Sequence, residues 1–193
     1  MKKTAMSVIG AVAMMAAMAA QAAPVTYQFD PDHTYPSFET DHFGGISTWR
    51  GKFTQTAGKV VVDTEKKTGQ LEAVINMDSF DSGNAALNTH AKSAEILDVA
   101  KYPTAIYKGT LSKFKQGKPT EVVGQLTLHG VTKPLNLKVN SFKCFVNPMS
   151  KKETCGADAS AKFDRADYGI GYGKGYGFDM KTTLRIQVEG IRQ

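Results

Sequence analysis

Cysteine is nearly absent from this chain of 193 residues: it has two, Cys144 and Cys155, and no C-x-x-C. A thioredoxin-type redox pair is therefore excluded. The ten residues between them, FVNPMSKKET, contain the turn signal Asn147-Pro148. A disulfide closing so short a loop reads as a structural staple, contributing about 3 kcal/mol. Histidine is scarce too. None of His33, His42, His90 and His129 forms a pair at i, i+4, and H-E-x-x-H does not occur. No metal site is expected from them. The G-x-S-x-G elbow of the α/β-hydrolases is missing. No two carboxylates share an apolar face, so a glycosidase-type acid/base dyad is not expected. The lysines are interspersed with carboxylates, without an interleaved stripe of arginine and aromatic residues, so nucleic acid is not an expected partner.

Long apolar runs are also missing, with one exception at the start. Lys2 and Lys3 precede an Ala- and Met-rich stretch from Ala5 to Ala19, followed by Ala20-Gln21-Ala22. This is the pattern of a secretory leader, with cleavage expected after Ala22. The stretch is shorter than the ~20 residues that a spanning helix needs. Loss of Lys2 and Lys3 lowers the formal net charge from +6 to +4. The remainder, residues 23–193, suits one domain. An exported location permits the cysteines to oxidise.

What is abundant is alternation. VTYQF places Val25, Tyr27 and Phe29 on one face, and SFETDHF places Phe38, Thr40 and His42 together. TWRGKF aligns Trp49, Gly51 and Phe53, and GQLEAVINM aligns Leu71, Ala73, Ile75 and Met77. The pattern continues in TAIYKGTL, GQLTL, KPLNLKVNSF and TLRIQVEGI, which place Tyr107, Leu126, Leu128, Leu137, Ile186 and Val188 on apolar faces. A period of two with one dry face predicts antiparallel strands. One stretch departs from it: NAALNTHAKSAEILDVAKYP has Leu87, His90/Ala91, Ala94 and Leu97 at helical spacing. It predicts a helix at about 85–98, capped by Asn84 or Ser82 and followed by Tyr102-Pro103. About eight strands and one short helix fit an all-β sandwich or a closed barrel. The apolar faces mix bulky residues with Gly51, Ala73, Ala105 and Gly109, which suits either a solid core or a channel.

The segment DYGIGYGKGYGFD, residues 167–179, invites a phosphate-binding reading. It fails the test. Glycines at relative positions 1, 3 and 6 are not found starting from Gly169 or Gly171, and Lys174 is followed by Gly175 rather than Ser or Thr. No helix follows. A long hairpin loop fits better, in which Tyr168, Tyr172 and Tyr176 partly cover an opening and Lys174 stands near an anionic or polar head group.

In order and spacing, HFGGISTWRGKF, NTHAKSAEILDVAKYP and GQLTLHGVTKPLNL resemble the YceI-like family of bacterial periplasmic proteins. DPDHT and FDRADYGI are similar to segments of the same family, and the resemblance runs from about Tyr27 to Ile191. It implies an extended, lipocalin-like antiparallel barrel that holds a long isoprenoid chain or another long amphiphile, and a binding protein rather than an enzyme. No cofactor is implied; an isoprenoid or quinone-like lipid would be cargo. The Gly/Tyr loop is richer in those residues than the family leads one to expect.

Inward parity then nominates the lining: Phe38, His42, Trp49, Phe53, Ile75 and Met77 from the first half, Tyr107, Leu126, Leu128, Leu137, Ile186 and Val188 from the second. Leu87, Ile96 and Leu97 would close one end. An inward His42 needs a hydrogen-bond partner if it is ordinary core. Two alternatives stand beside the carrier. One is a small periplasmic hydrolase or isomerase built on His90, Ser93 and an acid. The other is a scaffold for a membrane redox protein. Transient contact with a membrane surface and formation of a homodimer are left open by the sequence.

Overall fold

The computed structural model describes residues 23–63 and 65–193. The leader and its cleavage site lie outside the described residues. Twelve strands and one α-helix follow in order: β1 (Val25–Phe29), β2 (Tyr35–His42), β3 (Ser47–Phe53), β4 (Thr56–Asp63), β5 (Thr68–Asn76), β6 (Phe80–Asp81), α1 (Ala85–Lys92), β7 (Thr104–Lys115), β8 (Lys118–Leu128), β9 (Val131–Pro134), β10 (Leu137–Val146), β11 (Glu153–Asp164) and β12 (Lys181–Arg192). The fold is all-β, and its pairings are antiparallel.

Eight strands close a ring in the order β1-β4-β5-β7-β8-β10-β11-β12, with β12 returning to β1. The remaining wall is an extension at one end. After a turn at residues 30–34, β2 continues the course of β1 and pairs with the first half of β12. β3 pairs with β2 on one side and with β6 on the other. This end carries α1 and the loop between β11 and β12. The opposite end carries the hairpin turns β4–β5, β7–β8 and β10–β11, and the close of β12. Cys144 and Cys155 face each other on β10 and β11 and are joined by a disulfide.

The helix is shorter than its sequence pattern. Asn84 caps α1, its side chain accepting from the Leu87 amide, while Ser82 instead donates to Asn88. The helix stops at Lys92, and residues 93–98, expected to be helical, form turns. Ser93 takes extended dihedrals, and its hydroxyl accepts from the Glu95 amide. Such local side-chain bonding competes with the helical ladder. The Asp98 amide returns to the Ser93 carbonyl, and Asp98 sits at φ 44.

Close approach between strands explains some of the small residues. Gly109 and Gly124 are paired across β7 and β8. A Cβ on Gly124 would lie 2.4 Å from the Tyr107 hydroxyl and 2.6 Å from the Lys108 carbonyl oxygen. The Tyr107 ring lies over this gap and donates to the Leu135 carbonyl at 2.9 Å. Burial raises its phenol pKa well above the usual value.

Candidate functional site

The apolar faces of the ring strands do not meet. They enclose a cavity of about 970 Å³ that runs the length of the barrel. That is the upper end of the range for small-molecule sites, ~300–1,000 Å³. Its wall is almost wholly carbon. Ile75, Tyr107, Leu126, Leu128, Leu137 and Met77 form buried stretches of it, and Ile186 and Val188 on β12 face them. Phe38 and Phe53 line it beside Phe80, with ring centroids 5.7–6.2 Å apart. Gly51 makes room for them: a Cβ there would lie 2.8 Å from Phe80 and 2.9 Å from Phe38. Leu87 from α1, with Ile96 and Leu97 from the turns beyond it, also faces the cavity.

The Gly/Tyr end is a collar of rings. Trp49, His42, Tyr172, Tyr176 and Phe178 all line it. The loop at residues 165–180 is held open in shape by glycine: Gly169, Gly173 and Gly177 sit at φ 79, 85 and 84, a region that side chains with a Cβ rarely adopt. Arg165 braces it from below, donating to the carbonyls of Ile170 at 2.9 Å and Tyr172 at 2.7 Å. Asp41 Oδ2 accepts from the amides of Gly44 and Asp179, tying the β2–β3 turn to the same loop.

Two expectations are corrected here. Tyr168 does not reach the cavity. It is 2 % exposed, its ring packs edge-on against Phe163, and its carbonyl accepts from His129 Nδ1 at 3.1 Å. The near-alternating Gly/Tyr sequence sits partly in a 3-10 turn, Arg165–Tyr168, so strand parity does not apply. Lys174 is exposed and is not part of the wall. At this end the cation that lines it is Arg165, whose pKa is pulled down by burial, against the opposing charges of Asp164 and Asp41. His42 forms no ring hydrogen bond among the described residues; it packs edge-on against Phe43 and Phe178 at 4.7 and 5.3 Å.

The residues of the hydrolase alternative do not meet on the cavity wall. His90 lines the cavity against Tyr172 and lies 3.7 Å from Glu95, whereas Ser93 does not line it. Two groupings bring ligating atoms together. Asp30, His33 and Glu189 form one, in which His33 already engages Asp30 at 2.9 Å. Cys144, Glu153 and Cys155 form the other, and its sulfurs are joined.

Sequence reasoning missed the far end of the cavity. Tyr27, Phe142, Glu153 and both cysteines line it, with Phe114 and Pro119. Tyr27 donates to Glu153 at 2.6 Å, and Arg192 reaches the other carboxylate oxygen at 3.3 Å. Burial, then the Glu153 hydrogen bond and charge, push the Tyr27 phenol up to about 12. The alternation that placed Tyr27 inward was visible; nothing in it paired Tyr27 with a residue 126 positions away. Among the described residues, the buried hydroxyls of Thr40, Thr56 and Thr154 have no hydrogen-bond partner.

With this geometry established, likeness to known proteins can be weighed. A YceI-like domain is matched over residues 27–190. This protein belongs to the YceI-like family. It is 31 % identical to Protein YceI of Escherichia coli over 194 residues, covering the whole of both chains. Solved structures agree in fold. BcnA of Burkholderia cenocepacia superimposes with a TM-score of 0.65 at 19 % identity, covering 83 % of this chain and 98 % of that one. A polyisoprenoid-binding domain from Saccharophagus degradans, implicated in plant cell wall breakdown, gives 0.63 at 14 % identity, covering 86 % and 98 %. The fold is therefore shared with these solved structures.

Proposed function

We propose that this YceI-like protein is a non-catalytic carrier that sequesters a long isoprenoid or similar amphiphilic lipid in its barrel. The observation that carries this reading is the continuous cavity of about 970 Å³ with a wall of aliphatic and aromatic side chains. A solvated prenyl chain gains about 0.8 kcal/mol per CH₂ on burial. The ordering of chain and protein offsets part of this. An apolar tube supplies the gain without specific contacts. A polyisoprenoid-binding relative of the same fold supports the lipid class. The leader-like N-terminus and the disulfide support export to the periplasm.

On this reading the protein needs no cofactor, and a quinone-like lipid is cargo. Protein purified from its native periplasm is expected to yield about one isoprenoid per chain on organic extraction and mass spectrometry. A chain that carries no such molecule, and takes none up after delipidation, refutes the proposal.

A further inference from the structure

The hairpin end of the barrel combines protruding apolar side chains with unpaired positive charge. At the β10–β11 turn, Phe145 is 48 % exposed, Val146 64 % and Met149 88 %. The turn is built rather than loose: Asn147 Oδ1 accepts from the Met149 and Ser150 amides, and the Asn147 amide donates to the Lys152 carbonyl. The disulfide lies directly behind Phe145, whose register partner is Thr154. Around them stand Lys143, Lys151 and Lys152, with Lys115 and Lys118 on the neighbouring turn, all exposed. None of the five makes a salt bridge among the described residues.

The cavity reaches this face. β10 pairs with β8 only at Leu137 and Lys138. From Val139 onward its edge has left β8, whose Pro119 has no N–H to offer. Pro119 and Phe142, one on each side of this seam, both line the cavity.

We infer that this end docks on an anionic lipid bilayer, with Phe145, Val146 and Met149 entering the interface and the lysines facing lipid phosphates. Exposed apolar side chains rimmed by lysine suit a membrane interface. A second copy meeting the same face would set lysines against lysines, so the charge favours a negatively charged surface over self-association. The docking surface does not depend on which lipid the cavity holds.

The test uses protein produced from its full sequence, without added cargo, and vesicles of phosphatidylcholine with or without about one-third phosphatidylglycerol. Partition into the anionic vesicles is expected to exceed that into neutral ones by about tenfold and to fall as salt is raised. Phe145→Ser with Met149→Ser lowers it by at least about tenfold, and Lys151→Gln by about fivefold. Val123→Ser, on the barrel flank, leaves it unchanged. Should the double variant fail to fold, Met149→Ser alone carries the test. Equal partition into both vesicles overturns the proposal, as does unchanged partition in the hairpin variants. So does loss with Ile46→Ser at the opposite end instead. A dimer that the hairpin variants dissociate, with partition unaffected, assigns the face to a second copy and equally overturns it. Because partition is compared between variants that share the same barrel interior, failure here leaves the carrier reading standing, and absence of extractable lipid leaves the docking surface standing.

Discussion

At one end of the barrel the cavity meets Trp49 on β3, and Tyr172, Tyr176 and Phe178 set on turns that glycine makes possible. At the other it meets a tyrosine–carboxylate–arginine cluster, a disulfide and hairpins tipped with lysine. The first end is shaped by backbone: Arg165 and Asp41 spend their hydrogen bonds on carbonyls and amides of the loops around them. The second is shaped by side chains and one covalent bond, and Lys115, Lys118, Lys143, Lys151 and Lys152 make no salt bridge among the described residues. Carboxylates are frequent around the ring-lined end, including Asp41, Asp78, Asp167 and Asp179. On the docking proposal, the ring-lined end covers the cavity and the lysine-tipped end meets a charged surface. A single tube joins them.

The comparison can be broken most sharply at the ring-lined end. Trp49→Glu sets a carboxylate on an apolar wall at a half-buried position. Extractable lipid is expected to fall by at least about tenfold while circular dichroism stays unchanged. If the variant unfolds, Trp49 is core rather than wall. At the lysine end the largest effect falls on stability. Replacing both cysteines with serine should lower unfolding free energy by about 3 kcal/mol, read by denaturant titration. Between the two ends, Gly124→Ala drives a Cβ into the Tyr107 hydroxyl and the Lys108 carbonyl, costing about 1–3 kcal/mol. A silent Gly124→Ala would mean that Tyr107 is free to move.

The smallest effect is a pH dependence. The Tyr27 phenol is raised to about 12 in the folded protein. The unfolded value is ~10. A raised pKa means that the folded state holds the proton more tightly. Its contribution to stability is complete below about pH 10 and lost as pH rises toward 12. Tyr27→Phe should flatten the alkaline fall in melting temperature relative to the parent. An identical slope would show that Tyr27 and Glu153 do not interact.

Much of the barrel was legible from alternation, but the count of eight strands was reached through different members. The alternating runs covered six of the ring strands, together with β2 and β3, which belong to the extension. β4 was missed because Val60, Val61 and Val62 form a continuous run rather than an alternating one. β11 was missed because its inward positions are Cys155, Ala157 and Ala159, too weakly apolar to register as a dry face. The helix was visible by its spacing, but its stop was not, since Ser93 ends it through a local hydrogen bond rather than a glycine or proline. In the Gly/Tyr loop, the notable residues drew attention to Lys174, while the cation on the wall is Arg165, two residues before the first tyrosine's neighbour Asp167.

Alternation by itself determined that most of this chain forms strands with one dry face, and the cysteine spacing determined a short stapled hairpin. Both are properties of neighbouring residues, set by the two-residue strand period and by the cost of closing a small loop. Only the tertiary structure decided that the dry faces enclose a void rather than meet, and that lysines from separate turns gather at one end. Those outcomes depend on which strands become neighbours across the closed ring, and a strand's own pattern fixes its face but not its partner.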